Sequence, residues 1–173
     1  MKIAIASDHR GLGLLEVVRT ELLDGGHEVE TLGETSGEPC DYPDQAQEVC
    51  RSMSSERADR GVLICGTGIG MCITANKFNG VRAALALDEL SAQLSRSHND
   101  ANVLCLSGDL VGHSLGRRIV KVWMETDFEG GRHLRRLEKI SEIDDRIISP
   151  SEIDAGVRSD LEVSSRSPRS TLE

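Results

Sequence analysis

Gly61-Val62-Leu63-Ile64-Cys65-Gly66-Thr67-Gly68-Ile69-Gly70-Met71 decides the fold of this chain, because a short apolar run reaches a cysteine and breaks at once into alternating glycines. The run reads as a buried strand, and the glycines as a tight turn that lets backbone approach a ligand. A helix over 69–77 is expected to follow. Its first turn would aim free N–H groups and a partial positive charge at the turn, which holds anions and favours a thiolate. The segment thus joins a candidate base, Cys65, to a candidate oxyanion cradle. On the motif alone a plain structural turn is an equal alternative. The spacing GTGIGM is not the dinucleotide-binding G-x-G-x-x-G, and it follows the third strand-like run rather than the first.

Working outward, strand-like runs at 2–6, 27–32, 61–65, 81–87 and 102–106 alternate with helix-like stretches near 11–24, 43–53, 69–77, 88–97 and 111–125. This βα alternation predicts an α/β fold, a parallel sheet covered by helices on both faces, with ligands bound beyond the carboxyl ends of the strands. Ser7-Asp8-His9, Cys65-Gly66-Thr67-Gly68 and Ser107-Gly108-Asp109 fall at those ends and are expected to share one site. Asp44 and Asp88 read as helix starts and Gly25-Gly26 as a stop.

The chain of 173 residues suits one domain, residues 1–149, followed by a polar tail over 150–173 rich in Ser, Arg, Asp and Glu. A net charge of −9 argues against a nucleic-acid partner. The five cysteines are odd in number and form no CxxC pair, as expected for free thiols in a reducing, cytoplasmic setting. The first strand begins at the amino terminus, and its apolar run is too short for a signal peptide or a membrane span.

Each candidate has a plainer reading. Cys72 and Cys105 read as small buried hydrophobes, Cys40 and Cys50 as loop and helix-surface residues. No His/Cys pair has a standard ligand spacing, so no metal site is expected. His98, closing the fourth helix, answers a helix dipole or serves as an acid–base group, with Asn99 and Asp100 beside it. His9 carries the same two readings, and the two histidines are expected to border one cleft. Gly130-Gly131-Arg132-His133-Leu134-Arg135-Arg136 is a dense basic cluster in an acidic chain. It is either a solvated helix start or, with Arg132 and Arg136 four apart, a phosphate-holding face.

Taken in order, Ser7-Asp8-His9, Asp41-Tyr42-Pro43-Asp44, the Ile64–Gly70 turn, Ala75-Asn76-Lys77, His98-Asn99-Asp100-Ala101-Asn102-Val103-Leu104 and Gly130-Gly131-Arg132-His133 closely resemble the type B ribose-5-phosphate isomerase family. Isomerases of galactose and allose phosphates belong to the same superfamily. The resemblance covers about residues 1–147. It implies a five-stranded parallel sheet in a three-layer αβα sandwich, Rossmann-like with order 2-1-3-4-5, and a homodimer or dimer of dimers with active sites between subunits. The implied partner is a small-molecule sugar phosphate, and neither cofactor nor metal is implied.

The resemblance also implies roles. Moving a proton between C1 and C2 through an enediolate needs a base, an oxyanion stabiliser and a ring-opening acid. Cys65 resembles the family base, His98 the ring-opening acid, and Thr67 a group moving protons between oxygens. Backbone at Gly66, Gly68, Ile69 and Gly70 would hold the enediolate, and Asn99 would act from the neighbouring subunit. Asp8 would bind hydroxyls, His9, Arg132 and Arg136 the phosphate, and Tyr42 would lie near the ring. A second family branch has serine in place of this cysteine and a glutamate base where Ile69 stands. Asp109 departs from the family, which commonly has there an arginine that reaches the phosphate across the dimer. Arg117 or His113 would have to compensate, or the substrate differs: a six-carbon sugar phosphate such as allose or galactose 6-phosphate, or an unphosphorylated aldose. The rival of another class is a non-catalytic phosphosugar-binding module.

Overall fold

The computed structural model describes residues 1–147. Residues 1–134 form one compact unit, and the described residues that follow, 135–147, belong to a second. The first carries β1 (Lys2–Ser7), α1 (Leu12–Asp24), β2 (Glu28–Thr31), α2 (Tyr42–Ser54), β3 (Arg60–Cys65), α3 (Ile69–Ala75), β4 (Ala83–Leu85), α4 (Glu89–Asn99), β5 (Val103–Ser107) and α5 (His113–Glu125). A further helix, α6 (Arg132–Ile147), starts at the end of this unit, and its remainder is the described part of the second. The expected tail over 150–173 lies outside the described residues. Among the described residues no helix is long and apolar enough to cross a membrane.

All strand pairs are parallel, and alternate strand residues separate two hydrophobic layers. Ile3, Ile5, Val62, Ile64, Leu104 and Leu106 pack with Leu14, Leu15, Val18 and Leu22 of α1, Ala92 of α4 and Ile119, Val120 and Trp123 of α5. Ala4, Ala6, Leu63, Cys65, Val103 and Cys105 face the other way, onto Ala46, Val49 and Cys50 of α2 and Met71 and Ala75 of α3. The period of two along each strand produces the αβα sandwich.

The strand order is β2-β1-β3-β5-β4, not the expected 2-1-3-4-5. Burial explains the exchange. β5 reads Val-Leu-Cys-Leu-Ser with every residue buried, so it stabilises the sheet best with a neighbour on each side. β4 is three half-exposed residues, Ala83–Leu85, far shorter than the expected 81–87, and a short strand suits an edge.

The helix punctuation is partly as expected. Asp88 caps α4 in a reciprocal box, accepting from the Ser91 N–H at 2.7 Å while Ser91 Oγ accepts from the Asp88 N–H. Gly25 ends α1, and Gly26 follows at φ +77°. α2 instead starts from Asp41, with Pro43 in its first turn and Asp44 already helical. Cys50, expected on a helix surface, is fully buried against the sheet, and burial pushes its thiol up to about 11.

Candidate active site

Three turns at the carboxyl edge of the sheet are laced together through backbone. The Asp8 N–H donates to Ile64 O at 3.1 Å, the Gly108 N–H to Cys65 O at 2.8 Å and the Asp109 N–H to Gly66 O at 3.1 Å. Ser107 Oγ also donates to Gly66 O, at 2.6 Å. The expected convergence of Asp8, Cys65 and Asp109 is therefore present. One carboxylate oxygen of Asp8 accepts from the Arg10 and Gly11 N–H groups, at 2.9 and 3.0 Å, so this buried side chain shapes the turn entering α1.

Cys65 ends β3 at 4 % exposure, and the Gly68 N–H donates to its Sγ at 3.1 Å. The sulfur is thus held by a backbone donor of the turn that follows it. Gly68 reaches this geometry at φ +76°, and a Cβ there would come within 2.9 Å of Leu106 O. Thr67 is exposed, and its Oγ1 accepts from the Ile69 N–H at 3.4 Å. The Tyr42 ring sits against the last glycine of the turn, since a Cβ on Gly70 would meet it at 2.5 Å. The helix after the turn ends at Ala75 rather than 77, seven residues in all. Discrete N–H donors, more than a long helix dipole, thus define the cradle.

His9 sits on the exposed turn after β1, where its Nδ1 accepts from the Cys40 N–H at 3.4 Å. That bond places the proton of a neutral ring on Nε2, as a donor. Beside it, Arg10 grips Asp109 through Nε at 3.3 Å and Nη2 at 2.5 Å.

His98 does not join this group, contrary to the expectation that it and His9 border one cleft. It lies near the carboxyl end of α4, which returns from the carboxyl edge of the sheet to the amino edge. There the Gly61 N–H, at the start of β3, donates to Asn102 O at 2.9 Å. Cys65 stands four residues further along that strand, about 13 Å away. His98 stacks instead on His133, with ring centres 4.2 Å apart and planes 9° apart. His133 is buried and within 3.7 Å of Glu129, and Arg132 Nε donates to its Nε2 at 3.3 Å.

Asn99, exposed, is the last residue of α4, and its carbonyl accepts from Arg82 Nε at 3.2 Å. Asp100 follows with φ +44° and binds Arg82 at 2.8 Å and the buried Arg96 at 2.7 Å. This clamp, which the sequence reading missed, fixes His98 and Asn99. Its only sequence trace is an arginine four residues before an aspartate. Arg136 belongs to the second unit.

Donor atoms of His98, Glu129 and His133 lie within 4.8 Å of one another. They do not fit a ready metal site, because near-parallel stacked rings direct their in-plane lone pairs side by side and a guanidinium already donates to His133. Two clefts of about 440 and 430 Å³, one beside Lys2, Glu28 and Arg57 and one beside Leu22, His27 and Val120, exclude both Cys65 and His98.

Comparison with known proteins matches residues 3–140 to the family described as Ribose/Galactose Isomerase. Ribose-5-phosphate isomerase B of Escherichia coli is 44 % identical over 145 residues, 84 % of this chain and 97 % of that protein. D-erythrulose-4-phosphate isomerase of Pectobacterium atrosepticum is 38 % identical over 81 % of this chain and 93 % of its own. The crystal structure of ribose-5-phosphate isomerase B from Mycoplasma genitalium with bound ribulose-5-phosphate superposes with a TM-score of 0.79 at 43 % identity, covering 83 % of this chain and 96 % of that one. With its parallel sheet, its glycine cradle and these relatives, the chain belongs to the ribose/galactose isomerase family and is an isomerase.

Proposed function

We propose that this protein interconverts ribose 5-phosphate and ribulose 5-phosphate through a cis-enediolate, with Cys65 as the base. The observation that carries the reading is the buried Cys65 sulfur at the carboxyl edge, accepting from the Gly68 N–H inside the glycine turn. The ribulose-5-phosphate in the Mycoplasma genitalium relative supports the substrate class.

In this scheme His98 protonates the ring oxygen of the furanose as O1 gives up its proton, opening the aldehyde. The Cys65 thiolate takes the proton from C2, and the electron pair moves to O1 as the C1–C2 double bond forms. Backbone N–H groups of the turn hold the oxyanion, and Thr67 passes the hydroxyl proton from O2 to O1. Cys65 then returns its proton to C1, leaving the ketone at C2. Asp8 and Asn99 would hold sugar hydroxyls, Tyr42 would cover the ring, and His9, Arg132 and Arg136 would bind the phosphate.

Such a site requires a second copy of the chain. Cys65 and His98 sit at opposite edges of one sheet, so a C2 dimer that sets the amino edge of one protomer against the carboxyl edge of its partner would complete two sites at once. Exposed Ile69, Ile73, Leu87, Leu90, Leu94 and Leu110 supply apolar surface for such an interface.

The test is the rate of ribose 5-phosphate isomerisation by the wild type and Cys65→Ala, with allose 6-phosphate and unphosphorylated ribose alongside. Fast turnover lost in the variant is the expected result. A second reading keeps the chemistry and changes the sugar. It is favoured by Asp109 and by the relative named for erythrulose 4-phosphate, and activity on another sugar alone would select it. Ligand binding indifferent to Cys65→Ala, with no turnover, would leave a binding module.

A further inference from the structure

We propose that Arg10, held over the glycine turn by Asp109, is a specificity-determining residue that binds the phosphate of the substrate; this rests on the sugar-phosphate reading above. Three observations place it. A Cβ on Gly66 would come within 3.0 Å of both Arg10 Nε and Asp109 Oδ2, so the ion pair lies directly across the residue after Cys65. A Cβ on Gly108 would come within 2.6 Å of Arg10 O, so the turns carrying the two side chains are in backbone contact. Asp8 accepts from the N–H groups of Arg10 and Gly11, which fixes the backbone of the turn that carries the arginine.

The charge balance then gives the pair a purpose. Asp109 alone would repel an anion at this edge. Two bonds to Arg10 cancel its charge while using only Nε and Nη2, and the guanidinium, 58 % exposed, keeps donors for a second partner. A fork held by a carboxylate on one side presents its remaining N–H groups in a fixed direction, which suits a phosphate. The adjacent His9 offers an Nε2 donor from the same turn. Several other arginines of this unit are committed elsewhere: Arg82 and Arg96 to Asp100, Arg118 to Glu89 and Arg57 to Glu30. The Cα atoms of Gly66 and Cys65 are about 3.8 Å apart, so a five-carbon chain reacting at the thiol has its far end within reach of the guanidinium. Asp109 is thus a positioning residue for Arg10, and the pair supplies the cation that an aspartate at 109 would otherwise deny the site.

The experiment measures the inhibition constant of inorganic phosphate and the KM for ribose 5-phosphate in wild type, Arg10→Ala, Arg10→Lys, Asp109→Asn and the double variant Arg10→Ala/Asp109→Asn. In Arg10→Ala both constants are expected to rise about tenfold or more, because a cation is lost and a carboxylate is uncovered, with kcat changing far less. Arg10→Lys keeps the charge without the fork and should fall between, and it carries the test if the alanine variant does not fold. The double variant should still bind phosphate at least about threefold more weakly than Asp109→Asn, as direct contact requires. Unchanged constants in Arg10→Ala would overturn the proposal. So would a double variant equal to Asp109→Asn, which would reduce Arg10 to cancelling a neighbour's charge. If the wild type turns over no sugar phosphate, the proposed function fails instead. Calorimetric titration of the wild type and Arg10→Ala with inorganic phosphate then still decides the role of Arg10, and absence of phosphate binding to the wild type overturns it.

Discussion

The two edges of the sheet are built by different means. The carboxyl edge, around Cys65, is backbone: the Gly66–Gly70 turn, carbonyls accepting from Asp8, Gly108 and Asp109, and a ring seated on Gly70. The amino edge, around His98, is side chain: Arg82 and Arg96 clamp Asp100, and His133 stacks on His98. Backbone donors are fixed by the fold and can face a developing charge without reorganising. Side-chain clamps orient the His98 ring at the end of a helix. A chemistry that needs both, as proposed here, must bring one edge of a protomer to the other edge of a second.

The sharpest break between the edges is chemical. Cys65→Ala removes the proposed base and leaves the amino edge untouched, and kcat should fall by about a thousandfold in a coupled isomerase assay, with the melting temperature little changed. Loss of less than about tenfold would mean that the thiol is not the base.

The next test asks whether the edges meet between protomers. Cys65→Ala and His98→Asn are each expected to be inactive. Mixed, unfolded together and refolded, they should regain about a quarter of wild-type activity, since half the dimers are hybrids and each hybrid has one intact site. No recovery from refolded mixtures would place both groups in one protomer's site.

A smaller effect tests the clamp. Arg96, 6 % exposed, donates to Asp100 and to the Ala101 carbonyl, at 2.7 and 2.8 Å, and Arg96→Ala uncovers both acceptors. The expected cost is about 2–4 kcal/mol in urea unfolding, together with a lower kcat because His98 loses its anchor. An Arg96→Ala protein as stable as the wild type would show that the clamp is dispensable.

The smallest effect is a titration. The Cys105 thiol donates to Cys72 and lowers it to about 7, with the Leu85 backbone and Asn76 assisting, while burial raises Cys50 to about 11. Only a thiolate alkylates readily, so iodoacetamide labelling of Cys72 should rise as the pH passes about 7, while Cys50 stays unlabelled until the protein unfolds. Because the folded value of Cys72 lies below its unfolded one, its thiolate favours the fold fully above about 9, and this contribution is lost as the pH falls through about 7. Mass spectrometry of the two peptides distinguishes them.

Much of the carboxyl edge was legible in the sequence, because its parts are local. An apolar run into Cys65-Gly66-Thr67-Gly68 specifies strand, turn and thiol within a few residues, and Asp8 and Asp109 follow strands whose ends a parallel sheet must align. The amino edge was not. His98 reads as a neighbour of His9 until the direction of α4 carries it to the far side. The contacts of Arg96 with Trp123 and of His133 with His98 join residues that no spacing rule connects. Cys50 looked like surface because it lies among polar residues, yet it faces the sheet with Val49 and Ala46.

The sequence alone determined the α/β class, the thiol and its glycine turn, and the layering, since these follow from period-two and period-3.6 patterns and from glycines in one short segment. Only the tertiary structure decided that β5 lies inside β4, that Arg10 covers the charge of Asp109, and that Cys65 and His98 stand at opposite edges. Each of these depends on contacts between residues far apart in the chain, where burial and charge pairing select among arrangements that the local pattern leaves equal.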